Sequence, residues 1–296
     1  MLERTLTGEE CSLGVSADGV SLRPMATADL EAAHGLSVKV RWPHRLEDWR
    51  YVAGLGAGLV AERDGQVVGT ALGWNWSERH ATLGMVIVAP QVQGRRIGQR
   101  LMQGLLAAAG ERAVLLHATA EGRGLYERLG FATVGEIRQH QGLARQAPLV
   151  MPDAGERLRP FGRGDTERLI ELDAASAGMP RREAILALLD NAETVVLDRD
   201  GEAVGFSILR RFGRGRAIGP VVAPSLRGAQ ALIAHWCNLY TRKFLRIDVE
   251  AGSGLIEWLE GLGLRRVGMV AIMARGEMPV RGPEAGQYAL LNQALG

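Results

Sequence analysis

Arg95 and Arg96 stand side by side in the turn Gln93-Gly-Arg-Arg-Ile-Gly98, which follows the apolar run Val86-Ile-Val-Ala-Pro90. Two guanidinium groups in a glycine-bearing turn suit a diphosphate, because they add full positive charge beside backbone N–H groups that a turn aims at one point. Whether such a site forms depends on the element that follows. Ile97, Leu101, Leu105 and Ala109 recur at helical spacing with Met102 and Leu106 beside them, and Gly110 closes the run. A helix therefore begins at Ile97, and its first turn leaves N–H donors unpaired at the positive end of its dipole. Gly98 falls inside that first turn, where glycine weakens a helix, so it marks a place where something approaches the backbone too closely for a Cβ. Val86, Ile87 and Val88 form the preceding strand, and Gln93, Gly94, Arg95, Arg96, Ile97, Gly98 and Gln99 form the cradle. The residues alone leave two readings open: a pyrophosphate cradle, or the plain strand-turn-helix of an ordinary α/β unit. A phosphate loop ending in Gly-Lys-Ser/Thr is absent, as is Gly-x-Gly-x-x-Gly.

A second element lies downstream. The apolar strand Ala113-Val-Leu-Leu-His-Ala118 leads to Leu125-Tyr-Glu-Arg-Leu-Gly-Phe131, a helix carrying Tyr126 that ends at Gly130. Together, the proline-containing strand end, the Gln-Gly-Arg-Arg-Ile-Gly turn and the Tyr-Glu-Arg-Leu-Gly-Phe element resemble the GNAT acyltransferase superfamily over roughly Gly19 to Ile137. One departure is Arg96, where relatives usually carry glycine; a side chain pointing to solvent leaves the cradle intact with altered phosphate contacts.

The resemblance implies acyl transfer from acetyl-CoA to a small amine by direct attack in a ternary complex. It implies that N–H groups of the Val86–Val88 strand polarise the thioester carbonyl and pair with the pantetheine amides. Tyr126 is then the donor to the departing thiolate, since a phenol with a reference pKa of about 10 can protonate a thiolate whose conjugate acid lies near 8.5. His117, at the end of its strand, is the candidate base or substrate ligand, the alternative being a hydrogen-bonded core histidine. Glu62 reads as a hairpin residue before Arg63-Asp64-Gly65, and His80, in a polar bend, as exposed. In relatives the regions of Trp42 and of Trp74 and Trp76 wall the acceptor side, which suits a flat, apolar or cationic acceptor; core packing is the other reading. Asp248 and Glu250 share one face of the alternating strand Arg246-Ile-Asp-Val-Glu250, where they either hold an ammonium group or form a solvated face.

The chain also repeats itself. Leu22-Arg23-Pro24 with Asp29 recurs as Leu158-Arg159-Pro160 with Asp165, and Arg63-Asp64-Gly65 recurs as Arg199-Asp200-Gly201, both at an offset of 136. Val88-Ala89-Pro90 returns as Val222-Ala223-Pro224, and Leu129-Gly130-Phe131 as Leu262-Gly263-Leu264, in the same order with small deletions. In the second copy Leu232 replaces Gly98 and Leu259 replaces Tyr126, so that copy is expected to complete the acceptor pocket and cover the first copy's sheet edge without using acyl-CoA. The expected architecture is α/β: two tandem GNAT-like domains, each a mixed, mostly antiparallel twisted sheet flanked by helices. The expected limits are an extension over 1–18, a catalytic domain over 19–142, a linker over 143–155, a degenerate domain over 156–277 and a docked tail over 278–296.

Length and composition agree, since 296 residues suit two domains and 47% hydrophobic content suits packed globular units. The formal charge of +2, with scattered basic residues, offers nothing for nucleic acid or a membrane surface. Cys11 and Cys237 lack metal-ligand company and read as reduced thiols, no apolar run is long enough to span a bilayer, and the first residues lack signal-peptide order. A cytoplasmic monomer without a metal is the expectation. Alternative functions are a transferase resembling mycothiol synthase, whose relatives use the C-terminal copy, a non-catalytic acyl-CoA sensor, and an interaction protein.

Overall fold

The computed structural model describes residues 19–296; the expected extension over 1–18, with Cys11, lies outside the described residues. The first half runs β1 (Val20–Pro24), α1 (Leu30–Lys39), α2 (Leu46–Gly54), β2 (Ala57–Arg63), β3 (Gln66–Asn75), β4 (His80–Val88), α3 (Ile97–Ala109), β5 (Ala113–Ala118), α4 (Ala120–Arg128) and β6 (Ala132–Leu143). The second half repeats that order: β7 (Glu156–Pro160), α5 (Thr166–Ala177), α6 (Arg182–Asn191), β8 (Glu193–Arg199), β9 (Glu202–Phe212), β10 (Gly215–Ala223), α7 (Leu226–Leu239), β11 (Phe244–Glu250), α8 (Ile256–Gly261) and β12 (Arg265–Arg275). A last strand, β13 (Gly286–Ala289), has no counterpart in the first half.

The sequence matches between the halves have physical causes. Each Asp-Gly pair makes a two-residue hairpin turn with both φ values positive, at Asp64 (52°) and Gly65 (73°), and at Asp200 (54°) and Gly201 (90°). Each Arg-Pro…Asp pair is a bidentate clamp tying the first strand to the turn before the first helix. Arg23 donates to Asp29 at 2.7 and 2.8 Å and to Glu62 at 2.8 Å. Arg159 donates to Asp165 at 2.7 and 2.8 Å and to Asp198 at 2.8 Å. The hairpin residue Glu62 is thus half of an ion pair, as is its counterpart Asp198.

The halves do not merely abut. All strands lie in one sheet, ordered β1-β2-β3-β4-β5-β12-β6-β11-β10-β9-β8-β7, with β13 pairing β10. Each half has handed its closing strand to the other: β12 lies between β5 and β6, and β6 lies between β11 and β12. The second copy covers the first copy's sheet edge through this exchange, in which backbone pairing joins the inner edges of the two halves. One core cluster accordingly joins α3 and β2–β5 to residues of α5, α6 and β9, including Leu169, Ile185 and Phe206. His80 is another correction: it begins β4 and is 8% exposed, because the Ser77 hydroxyl accepts its N–H and folds the bend inward.

The segment over 143–155 crosses between the halves without regular structure, and the chain beyond 278 forms β13 and then packs into the interior, with Leu291 and Leu295 almost wholly buried. Among the described residues, no helix is long and apolar enough to cross a membrane, and no group of His, Cys, Asp and Glu is placed to hold a metal.

Candidate active site

β4 and β5 are parallel neighbours only at their beginnings, where His80, Ala81 and Thr82 pair with Ala113, Val114 and Leu115. Beyond Thr82 they diverge. The divergence coincides with a bulge in β4: its register with β3 shifts between Thr70 and Leu72, Met85 has φ +53°, and the freed Met85 carbonyl accepts the Thr70 hydroxyl at 2.9 Å. The Ala89 N–H returns to β3, donating to the Val68 carbonyl at 2.8 Å. Strand donors alternate sides, so the N–H groups of Val86 and Val88 face the opening toward β5, while the Ile87 side chain is buried beneath.

The turn that follows is exposed from Gln93 to Arg96. Gly94 (φ +79°) and Arg96 (φ +58°) are both left-handed, and Arg96 caps α3. This explains why relatives prefer glycine there: a residue with a Cβ gives up roughly 1 kcal/mol to hold that conformation. The Gln93 amide ties the turn to the strand by donating to the Val88 carbonyl at 3.0 Å. The first backbone donor of α3 with a partner is Arg100, and the N–H groups from Gly94 to Gln99 meet no acceptor among the described residues. A Cβ at Gly98 would lie 3.4 Å from Leu125 and 3.6 Å from Val88, which is ordinary contact. The protein's own packing does not demand glycine there. The row of donors from Gly94 to Gln99 without acceptors among the described residues and the two arginines fit a pyrophosphate, and the opening between β4 and β5 fits an extended amide chain.

Tyr126 projects from α4, whose start is fixed by Thr119 accepting the Gly122 N–H at 3.4 Å. Its ring packs edge-on to Phe131 at 6.1 Å, its hydroxyl has no hydrogen-bond partner among the described residues, and burial pushes its pKa up to about 12. Tyr126 does not line the central cavity described next.

That cavity, of about 260 Å³, lies between the two halves. Its first-half wall includes Trp42, His44, Met85 and His117, its second-half wall includes Arg210, Phe212 and Asp248, and the chain's last segment closes it with Leu290 to Ala294. His117 Nδ1 lies 2.8 Å from the Gln293 carbonyl, which can only accept, so Nδ1 carries the proton and Nε2 keeps its lone pair. Burial lowers the His117 pKa, which keeps the ring neutral at pH 7.

The three tryptophans expected at the acceptor wall divide. Trp42 lines the cavity. Trp74 is fully buried in the core and donates to the Val52 carbonyl at 2.8 Å, and Trp76 donates to Thr82 Oγ1 at 2.9 Å while packing on the same core. Neither lines the cavity, because their strand turns these rings toward α2 and β4. Asp248 lines it but is already neutralised by Arg246 at 2.7 Å, and Glu250 pairs with Arg281, so the sequence-based reading of these acids as an ammonium site is corrected. Arg210, Phe212, His44 and Gln293 were missed by sequence reasoning. A signal existed for Arg210: it is in phase with Phe206, Ile208 and Phe212 on an apolar strand, which points its charge inward.

In the second half the corresponding opening is filled. β13 pairs antiparallel with β10, Val221 with Ala289 and Val222 with Gln287, and Leu290 N–H then donates to the Asp248 carbonyl of β11 at 2.9 Å. By register against the preceding strand, Val221 stands where Val86 stands in the first half, and β13 lies against it. The Ser225 hydroxyl accepts the Gly228 N–H at 3.1 Å, using a donor that a phosphate would need. The chain's own strand therefore occupies the slot between β10 and β11.

Known proteins resemble this chain in sequence and fold. Two profiles described as acetyltransferase (GNAT) domain match residues 55–133 and 169–289. The uncharacterized N-acetyltransferase YitH of Bacillus subtilis is 28% identical over 74% of this chain and 77% of its own length. The holothin acyltransferase of a Pseudoalteromonas strain is 22% identical over 69% of this chain and 70% of its own. A Pyrococcus horikoshii structure classed as an acetyltransferase superposes with a TM-score of 0.78 at 20% identity, covering 96% of this chain and 98% of that one. The chain belongs to the GNAT superfamily, with two such domains in tandem, and is an acyltransferase. Its fold is the mixed, mostly antiparallel sheet with flanking helices expected from the sequence.

Proposed function

We propose that this protein is an acetyl-CoA-dependent N-acetyltransferase that binds one acetyl-CoA per chain, in the opening between β4 and β5, and acts on a small amine seated in the cavity between the halves. The observation that carries this reading is the row of N–H groups from Gly94 to Gln99, without acceptors among the described residues, beside Arg95 and Arg96. Acetyl-CoA would supply the activated acyl group. The Val86 and Val88 N–H groups donate toward its carbonyl, His117 Nε2 takes the proton released by the attacking amine, and the Tyr126 hydroxyl returns one to the departing sulfur. The C–N bond forms as the C–S bond breaks, and the two proton transfers balance.

We place the protein in the cytoplasm as a monomer, with 19–142 as the half that binds the cofactor and 156–277 as the half that shapes the acceptor cavity. The filled slot between β10 and β11 supports a single cofactor site. The test is amine-dependent release of free thiol from acetyl-CoA across a panel of primary amines. Tight acetyl-CoA binding with no amine-dependent release would favour the sensor reading and contradict transfer.

A further inference from the structure

We infer that the acceptor amine also carries a carboxylate, and that Arg210 binds it. The inference rests on the acyl-transfer reading of the same cavity and names its substrate class.

Arg210 is a buried cation without a counterion of its own. Its side chain is 10% exposed, and it donates no hydrogen bond among the described residues. Its Nε is enclosed without a partner. The nearest carboxylate, Asp48, is 3.8 Å from an Arg210 Nη and is already engaged by Arg45, which donates to it from the backbone at 2.8 Å and from the guanidinium at 2.9 and 3.1 Å. Burial depresses the Arg210 pKa, as it must for a charge removed from water without compensation. Proteins keep such a group when something else supplies the partner, since buried charges are otherwise paired or absent.

The neighbours narrow the ligand. Arg210 lies over the Phe212 ring at 4.9 Å, and Arg246 lies 4.9 Å from the same ring. Arg246 has Asp248 as its partner, so Arg210 is the cation left over in this wall. His44 Nδ1 and Gln293 Nε2, in the same cavity, are also buried and unpartnered. A planar carboxylate matches the guanidinium fork and can accept from the Gln293 amide as well. With His117 taking the amine's proton, the acceptor has an amine at one end, a carboxylate at the other and an apolar or aromatic body against Trp42 and Phe212. The repeat sharpens the argument: at the offset of 136 the counterpart of Arg210 is Trp74, a fully buried core residue. The fold is content with an apolar side chain at this position, so the arginine is not required by the architecture.

The experiment measures calorimetric binding of matched pairs, N-acetylated aromatic and aliphatic amino acids against the same N-acetylated amines lacking the carboxylate, to the full chain and to Arg210→Met. The expected result is binding of at least one carboxylate-bearing product, on the order of a hundredfold weaker for its partner without the carboxylate and for Arg210→Met. Arg210→Met should melt no lower than the parent, since an unpaired charge has been removed, and Arg210→Lys should restore part of the preference. Equal binding of both members of each pair, no binding of either, or a preference that survives in Arg210→Met would overturn the inference. Acetyl transfer to the corresponding free amines is measured in parallel. Carboxylate binding that depends on Arg210 without any transfer would leave the anion site standing and remove the acetyltransferase reading instead.

Discussion

At the scale of single residues, the proposed mechanism divides the proton work between two groups whose surroundings push them apart. His117 is held neutral by burial, with Nδ1 committed to the Gln293 carbonyl and Nε2 free. Because its pKa lies below the usual histidine value, kcat/KM should rise with pH through a step below about 6.5 and then level off. His117→Gln should lower the plateau and abolish that step, which a pH-rate profile reads directly; a step unchanged in the variant would remove His117 from the mechanism. Tyr126 remains protonated across the working range, since burial holds its pKa at about 12. Tyr126→Phe should therefore cut kcat by on the order of a hundredfold while acetyl-CoA affinity moves less than threefold; loss of affinity instead would make it a binding residue. The motif pair that revealed Tyr126 and the turn is local in sequence, so both were legible there. Gln293 lies 176 positions from His117, and Arg210 too is far from it in sequence; both meet it only through the fold, and no short motif records them.

At the scale of elements, the turn before α3 and the Arg-carboxylate clamps carry the argument. Arg96 holds a left-handed conformation that glycine adopts without strain. Arg96→Gly should preserve acetyl-CoA binding within about tenfold and flatten its salt dependence, because one positive charge beside the turn is lost while the N–H row remains. An affinity that collapses would show that the side chain, and not the backbone, holds the ligand. The clamps make a separate, pH-dependent contribution. Arg159 holds Asp165 and Asp198 below the ordinary carboxylate range, chiefly through side-chain hydrogen bonds. A depressed folded pKa stabilises the fold above the unfolded value of about 3.9, and that contribution is lost as pH falls through the folded values. Arg159→Met should therefore melt lower than the parent at pH 7 and converge with it toward pH 2; a constant gap across that range would assign the loss to packing. The sequence showed these residues as a repeat at fixed offset, yet their ion pairs were legible only once both strands were in place.

At the scale of the whole molecule, the two halves share one sheet because each donates its closing strand to the other, and they share one cavity because the last segment runs from the filled slot of the second half to His117 in the first. Two copies of one fold were visible as matched strings, but strand exchange was not, since pairing partners 100 or more positions apart leave no trace in local pattern. A chain ended near Gln146 would lack β12 and expose β5 and β6 as bare edges, so it should aggregate where the full chain is soluble; a well-folded fragment would contradict the exchange. The filled second slot and the donors from Gly94 to Gln99 that meet no acceptor among the described residues converge on one claim, a single cofactor site in the first half. Gly98→Asp tests it most directly, because an acid in the first turn favours the helix while repelling a pyrophosphate. Calorimetric titration of acetyl-CoA should give one equivalent bound per full chain and none to a Gly98→Asp variant that melts at or above the parent temperature. Two equivalents, none in the parent, or one retained by the variant would contradict the account.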